Sequence, residues 1–90
     1  MAKSFKKLNL EAPFWIGNYA VENCIKDLRE KKGLSQEALA ELVGLSRNAI
    51  GSIERGAAIP TVRLAFCLSL VFEVPVNKIF EIKLKERKEK

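Results

Sequence analysis

Hydrophobic and polar residues recur with a helical period along most of this chain. Apolar positions three and four residues apart mark one buried face of a helix. This spacing predicts helices over residues 18–32, 36–43, 47–55, 61–72 and 74–80. The side chains expected on the buried faces of the first four helices are Val21, Cys24, Ile25, Leu28, Leu39, Ala40, Val43, Ile50, Ile53, Leu64, Ala65, Leu68 and Val71.

Serine and glycine residues mark the ends of the second and third helices. Ser35 and Ser46 stand at N-caps, where a hydroxyl oxygen accepts a hydrogen bond from the first helical turn, and Thr61 is expected to cap the fourth helix in the same way. Leu34 and Leu45 precede these caps, and each can pack as a hydrophobic staple. Gly44 ends the second helix. Two short helices joined by a glycine-containing turn are the geometry that places the second helix in the major groove of DNA.

The two ends of the chain depart from the helical spacing. Pro13 and Gly17 argue against a continuous helix near the start. Ile82 and Leu84 alternate with charged residues, which predicts a short strand, and a run of charges follows. A cluster of large apolar side chains lies near the start: Phe14, Trp15, Ile16 and Tyr19. This cluster is a flap over the core, part of a dimer interface, or a contact to DNA, and the sequence leaves the three readings open.

The chain of 90 residues is long enough for one small domain. The pattern predicts an N-terminal extension over 1–17, a domain over 18–82 and a basic tail over 83–90. A core of this size is only marginally stable, and dimerisation is a common remedy. The sequence has neither an apolar run long enough to span a bilayer nor the pattern of a signal peptide, which predicts a cytoplasmic protein with no membrane partner.

The composition argues against several classes of function. The sequence contains no His and two Cys. Cys24 and Cys67 occupy apolar helical positions, so we expect small buried side chains rather than a disulfide or zinc ligands. Neither a nucleophile with its base nor a pair of carboxylates stands out. The sequence therefore predicts no enzymatic activity, no cofactor and no metal site.

The formal net charge of +5 lies mostly at the two ends. Residues 1–20 carry three basic side chains and one acidic, or +2, and residues 81–90 carry five basic and three acidic, again +2. The middle, residues 21–80, carries eight basic and seven acidic side chains, or +1. Positive charge favours anionic partners such as nucleic acid, although it does not locate the binding face.

Three segments together resemble a known family: IKDLREKKGLSQEALAELVGLS, RNAIGSIERGAAIP and FEVPVNKIFEI. The resemblance is to the phage-repressor-like helix-turn-helix proteins of the Xre/Cro type. It covers about sixty of the 90 residues and excludes both ends. It implies an all-α fold, a five-helix lambda-repressor-like domain that binds double-stranded DNA, usually as a homodimer on operator sites.

The resemblance also implies roles for individual residues. Base-contacting positions are matched by Arg47, Asn48 and Ser52, where Arg suits guanine and Asn suits adenine. Phosphate-contacting positions are matched by Gln36, Ser46, Arg55, Gly56 and Ala57. Arg29 and Glu54 match a pair of opposite charges that ties the third helix to the first.

At some positions this sequence departs from the family pattern, which limits how far the roles of family residues can be assigned to this chain. In a capping box, a Glu or Gln three residues after the N-cap bonds back to the N–H of the capping residue. Ala38 occupies that position relative to Ser35, so this second bond cannot form. Gly51 lies inside the third helix, at a cost of about 1 kcal/mol relative to Ala, and either permits a close approach to DNA or is simply tolerated. Ala57 and Ala58 replace polar or basic residues, which predicts fewer phosphate contacts from that loop.

The sequence thus favours a transcriptional regulator, a repressor that binds a near-palindromic operator as a homodimer. The alternative is an antitoxin or adaptor whose main partner is a protein and whose DNA binding is autoregulatory.

Overall fold

The computed structural model describes residues 16–85, which form four helices and a two-stranded sheet. In chain order the elements are a 3-10 turn at Ile16–Asn18, strand β1 at Tyr19–Asn23, helix α1 at Ile25–Lys31, helix α2 at Gln36–Val43, helix α3 at Arg47–Glu54, helix α4 at Val62–Phe72, a 3-10 turn at Val76–Lys78 and strand β2 at Phe80–Leu84. Phe14 and Trp15 of the aromatic cluster lie outside the described residues. Over residues 16–85, no helix has the length and apolar character needed to cross a membrane.

The core forms where the inner faces of the four helices meet. Leu39 and Leu68 are completely buried, and Ile50 and Ile25 nearly so. The remaining buried apolar side chains are Ala40, Ile53, Leu64, Phe72 and Ile79. The inward positions expected for α2, α3 and α4 are confirmed as buried or half-buried. Helices of this length are marginal in isolation, so their stability comes from this shared packing.

The helix starts follow the expected capping chemistry. Ser35, Ser46 and Thr61 each accept a hydrogen bond from the N–H three residues further along, at 2.9, 3.1 and 3.1 Å. Gly44 ends α2 with a φ of 76°, a left-handed conformation that glycine adopts without strain. The turn between α2 and α3 is therefore fixed by local sequence at both of its ends.

The first helix is shorter than the sequence predicts. It begins at Ile25, because Tyr19–Asn23 forms β1 and pairs antiparallel with β2. Val21 lies four residues before Ile25, which mimics helical spacing, but it lies opposite Ile82 in the sheet. Aromatic and β-branched side chains favour a strand when a partner strand is available. The strand predicted at the end of the chain is confirmed, and it continues past the predicted domain boundary at residue 82.

The fifth helix predicted over residues 74–80 is wrong, because only the 3-10 turn Val76–Lys78 forms there. Ile79 is buried in the core, and its carbonyl accepts a hydrogen bond from the N–H of Cys24 at 3.0 Å. Because Ile79 already pairs with the residue that follows β1, the 3-10 turn at Val76–Lys78 cannot continue as a helix to residue 80. The fold is mostly helical rather than all-α.

Polar contacts fasten the sheet to the helices. The Nδ2 of Asn23 donates to the carbonyl of Ile53 in α3 at 2.9 Å, and its Oδ1 accepts from the N–H of Ile25 at 3.0 Å. Cys24 and Cys67, expected to be buried, are half-buried free thiols, and the Sγ of Cys24 donates to a backbone carbonyl at 3.2 Å. One asparagine thus joins β1, α1 and α3.

Candidate nucleic-acid interface

The starts of α2 and α3 and the loop after α3 form the candidate interface. The two helices pack against each other across the turn at Gly44. The first N–H groups of a helix have no acceptor within the helix, and the helix dipole makes that end electropositive. Ser35 and Ser46 each satisfy one such group, so others remain available to an anion at both helix starts.

The three residues expected to contact bases lie along α3. Arg47 and Asn48 are exposed in its first turn, and no hydrogen bond within residues 16–85 engages either side chain. Ser52 is half-buried, and its hydroxyl accepts a hydrogen bond from Nη2 of Arg55 at 3.4 Å. Arg47 and Asn48 are therefore presented to a partner, whereas Ser52 already has a neighbour.

The residues expected to contact phosphate divide into two groups. Ser46 caps α3, and Gln36 occupies the first turn of α2. In the loop after α3, the N–H of Gly56 donates to a carbonyl of α3 at 3.0 Å, and that of Ala57 does so at 2.8 Å. These two amides are satisfied within the domain, so the exposed guanidinium of Arg55 is the group that this loop offers to an anion.

Arg29 joins α1 to α3 through a two-pronged contact with Glu54. Its Nε donates to Oε2 of Glu54 at 2.7 Å and its Nη2 to Oε1 at 3.3 Å. Its Nη1 also donates to the carbonyl of Leu34 at 2.9 Å, in the loop before α2. The two side chains are only 10% and 5% exposed, so the pair is largely removed from water.

Gln36 completes this cluster through a contact that the sequence does not predict. Its Nε2 donates to Oε1 of Glu54 at 3.0 Å, so Glu54 is held from α1 and from α2 at once. A glutamine in a first helical turn is common, and nothing in its spacing identifies Glu54 as the acceptor. The side chain of Gln36 therefore has a structural partner. Its backbone N–H, at the start of α2, is the group that it can offer to an anion.

The electrostatics of the cluster favour the charged forms of both residues. Burial alone would raise the pKa of Glu54, but hydrogen bonds from Arg29 and Gln36 and the charge of Arg29 lower this pKa below its usual value. The hydrogen bond to Glu54 raises the pKa of Arg29, against the opposing effect of burial. The pair is thus ionised at neutral pH.

Gly51 is buried and makes room for two of the site residues. A Cβ at this position would lie 3.2 Å from Nη1 of Arg55 and 3.6 Å from Nε2 of Gln36. A methyl group would require the guanidinium of Arg55 to shift by a few tenths of an ångström, whereas its distance to Gln36 is that of an ordinary contact. The small size of Gly51 thus accommodates the protein's own side chains at the junction of α2 and α3.

Comparisons with known proteins were made for the sequence and for the fold. The sequence model of the helix-turn-helix family matches residues 25–79. A Bacillus subtilis protein, described as the uncharacterized HTH-type transcriptional regulator YgzD, is 35% identical over 60 residues, which cover 67% of this chain and 91% of that protein. An uncharacterized HTH-type transcriptional regulator of Methanocaldococcus jannaschii is 38% identical over 60 residues, with the same two shares of 67% and 91%.

Two solved structures have a similar fold. The restriction-modification controller protein C.AhdI from Aeromonas hydrophila superposes with a TM-score of 0.56 at 35% identity, over 60% of this chain and 82% of that one. A putative DNA-binding protein from Bacteroides fragilis gives a TM-score of 0.62 at 21% identity, over 68% of this chain and 98% of that one, a likeness of fold.

A double-mutant cycle tests the contact between Arg29 and Glu54. Replacing either residue with Ala should lower the free energy of unfolding by about 3–5 kcal/mol, because each change leaves a buried charge without its partner. The double variant should lose less than the sum of the two single losses. Arg63→Ala, at an exposed position on α4, is the control and should stay within about 0.5 kcal/mol of wild type. Strictly additive losses would contradict the contact.

The lowered pKa of Glu54 predicts a dependence of stability on acid. A carboxylate whose pKa is lower in the folded than in the unfolded state stabilises fully above the unfolded value, near 4.5. That contribution disappears as the pH falls through the lower folded pKa. The difference in unfolding free energy between wild type and Glu54→Gln should therefore be constant near neutral pH and shrink below about pH 4.5. A difference unchanged down to about pH 2 would show that the folded pKa is not lowered.

Proposed function

This chain belongs to the helix-turn-helix family, of the phage-repressor-like Xre/Cro type, and is a DNA-binding transcriptional regulator; from that premise we propose that it is a repressor that recognises a specific operator as a homodimer. One observation carries the proposed recognition of a specific operator. The first turn of α3 presents Arg47 and Asn48 outward, while the opposite end of the helix is held by the ion pair of Arg29 and Glu54. We further propose that it acts in the cytoplasm and needs no cofactor.

In this proposal, α3 enters the major groove with its first turn towards the base edges. Arg47 meets O6 and N7 of a guanine, and Asn48 meets N6 and N7 of an adenine. Ser52 lies one turn further along the helix and contacts a base or the adjoining backbone.

Phosphate contacts on either side of α3 would set its register in the groove. The backbone at Gln36 and Ser46 supplies neutral donors at two helix starts. Arg55 supplies the charged contact from the loop, with Gly56 and Ala57 acting mainly through the shape of the turn. These contacts carry no sequence information, but they orient Arg47 and Asn48.

An exposed apolar stripe on α4 supports the proposed homodimer. Val62, Phe66 and Leu70 follow one another at intervals of four residues, on the face opposite the buried Leu64 and Leu68. Exposed apolar patches on small domains mark interaction surfaces. If two copies meet through this stripe about a two-fold axis, their α3 helices can read half-sites about 34 Å apart, which favours a near-palindromic operator.

The second candidate function is an antitoxin or adaptor whose main partner is a protein. It is favoured by the exposed apolar side chains of Ile82 and Leu84, which recognition of DNA through α3 does not use. This candidate would be supported if a toxin-like protein co-purified with the chain and if that co-purification were lost when Ile82 and Leu84 were replaced by polar residues.

Selection of bound duplexes from a random pool, followed by two substitutions, tests base recognition. Arg47→Ala and Asn48→Ala should each weaken binding to the selected site by about 1–3 kcal/mol, or roughly fivefold to 150-fold, and relax specificity at one base pair in each half-site. Arg63→Ala and Asn77→Ala change the same residue types at exposed positions away from α3 and serve as controls. Equal losses on selected and random duplexes, measured by fluorescence anisotropy, would contradict base recognition.

Matched substitutions test the α4 stripe. Phe66→Ser should weaken self-association in sedimentation, because it removes the central apolar side chain of the stripe. Leu42→Ser is the control, since Leu42 is 60% exposed and Phe66 is 59% exposed, but Leu42 lies on α2. The stripe is not the contact if both variants associate as wild type does.

A further inference from the structure

Within residues 16–85, the sheet has an edge that no further strand covers. Both strands fall beyond residues 25–79, and within the described part of the chain β2 pairs only with β1. Residues 81–84 are all exposed. An exposed strand edge is a template for pairing with another strand.

The hydrogen bonds to β1 show which groups of β2 face outward. Lys85 donates to the carbonyl of Asn18 at 2.7 Å, and the carbonyl of Ile79 accepts from Cys24 at 3.0 Å. Bonded and non-bonded pairs alternate along an antiparallel ladder, so every second residue directs its backbone groups towards β1. The residues whose N–H and C=O point to the open edge are consequently Phe80, Ile82 and Leu84.

We propose that β2 pairs antiparallel with β2 of a second copy of this chain, about a two-fold axis at Ile82. Ile82 then lies opposite its own equivalent, and Phe80 lies opposite Leu84 of the second copy. The outward backbone groups of these residues meet as about six hydrogen bonds. The two sheets become one sheet of four strands.

The charges on the other face of β2 are self-complementary in this register. Glu81 lies opposite Lys83 of the second copy, and Lys83 lies opposite Glu81. Within one chain, however, Glu81 lies opposite Glu22, a like-charge pair that is unfavourable in a sheet. Lys83 already approaches Glu22 at 3.5 Å. The second copy therefore supplies the positive charge that Glu81 lacks opposite it.

The open edge of β1 does not have this property. Self-pairing of β1 about Val21 would place Ala20 opposite Glu22, with no opposite charges across the axis. Its residues are also less exposed than those of β2. Charge therefore selects the edge of β2.

The same pairing covers apolar surface that the single chain leaves open. Ile82 is 63% exposed and Leu84 is 61% exposed, whereas Phe80 packs against the core. Leu84 would lie beside the Phe80 of the second copy, which is anchored in that copy's core. Ile82 would lie beside its equivalent on the axis.

The β2 edge and the α4 stripe are separate surfaces on one chain. Two different two-fold contacts build an assembly larger than a dimer, either a closed tetramer or an open series. An assembly larger than a dimer requires the proposed α4 dimer as well as the pairing of β2. The pairing of β2 itself is argued independently of the α4 dimer. Linked dimers would bind neighbouring operators with an avidity that one dimer lacks.

Two substitutions weaken the β2 pairing without removing a hydrogen bond to β1. Ile82→Pro deletes an N–H that faces the open edge, a position where edge strands tolerate proline. Glu81→Lys replaces the unfavourable pair with Glu22 by an attractive one, and it places two lysines opposite each other across the axis. The melting temperature of Glu81→Lys, measured at low protein concentration, should therefore match or exceed that of wild type. Its self-association should nevertheless be weaker.

Sedimentation of the full-length chain separates the two surfaces. We expect species larger than a dimer for wild type, and dimers for Ile82→Pro, Glu81→Lys and Phe66→Ser. The double variant Phe66→Ser/Ile82→Pro should be a monomer. The β2 pairing is overturned if Ile82→Pro and Glu81→Lys both sediment as wild type does, or if Phe66→Ser alone is a monomer.

Oxidative cross-linking tests the position of the axis in folded protein. Ile82→Cys should form a disulfide-linked dimer, because residue 82 lies opposite its equivalent at a Cα separation of about 5.5 Å, within the range that a disulfide spans. Leu84→Cys is equally exposed but lies opposite residue 80, so it should not link. Wild type controls for Cys24 and Cys67. Equal linking at 82 and 84, or none at 82, would overturn this register. Binding of the variants to a single half-site duplex reports separately on DNA recognition.

Discussion

The contact between Arg29 and Glu54 determines where α3 lies relative to the rest of the domain. Its three donor groups reach Glu54 twice and the carbonyl of Leu34 once, so one side chain connects α1, α3 and the loop before α2. Gln36 adds a bond from α2 to the same carboxylate. A buried ion pair contributes little net stability relative to an apolar pair, but it has directional geometry that apolar packing lacks. The orientation of α3 is therefore fixed by hydrogen bonds and its burial by the core.

Glu54 also separates two electrostatic environments on α3. Its charge is neutralised inside the domain, where Arg29 and Gln36 surround it, so it does not oppose an anion at the outer surface. Arg47 and Arg55 lie at the two ends of the same helix and are exposed. The outward face of α3 is thus positive although the middle of the chain is nearly neutral. The position of each charge matters more than their sum for binding a polyanion.

Local features of the sequence were sufficient to predict α2, α3, α4 and their caps. Ser35, Ser46 and Thr61 act on N–H groups three residues away, so their effect can be read from a short window. Val21 and Tyr19 could not be assigned in this way, because the partner strand lies at the other end of the chain. The contact of Gln36 with Glu54 likewise depends on how α2 packs against α3. The DNA-contacting residues were named from family resemblance, and their roles remain predictions.

The pairing of β1 with β2 brings the first and last elements of the domain together. Asn18 and Lys85 are joined by a hydrogen bond, so the chain enters and leaves the domain at neighbouring points. The sheet can form only after the chain between the strands has folded back on itself, at an entropic cost that local helix formation does not carry. Closely spaced domain ends are also the condition under which a domain tolerates circular permutation or insertion into a loop of another protein. This domain could therefore be inserted into a surface loop of another protein without forcing the two ends of that loop apart.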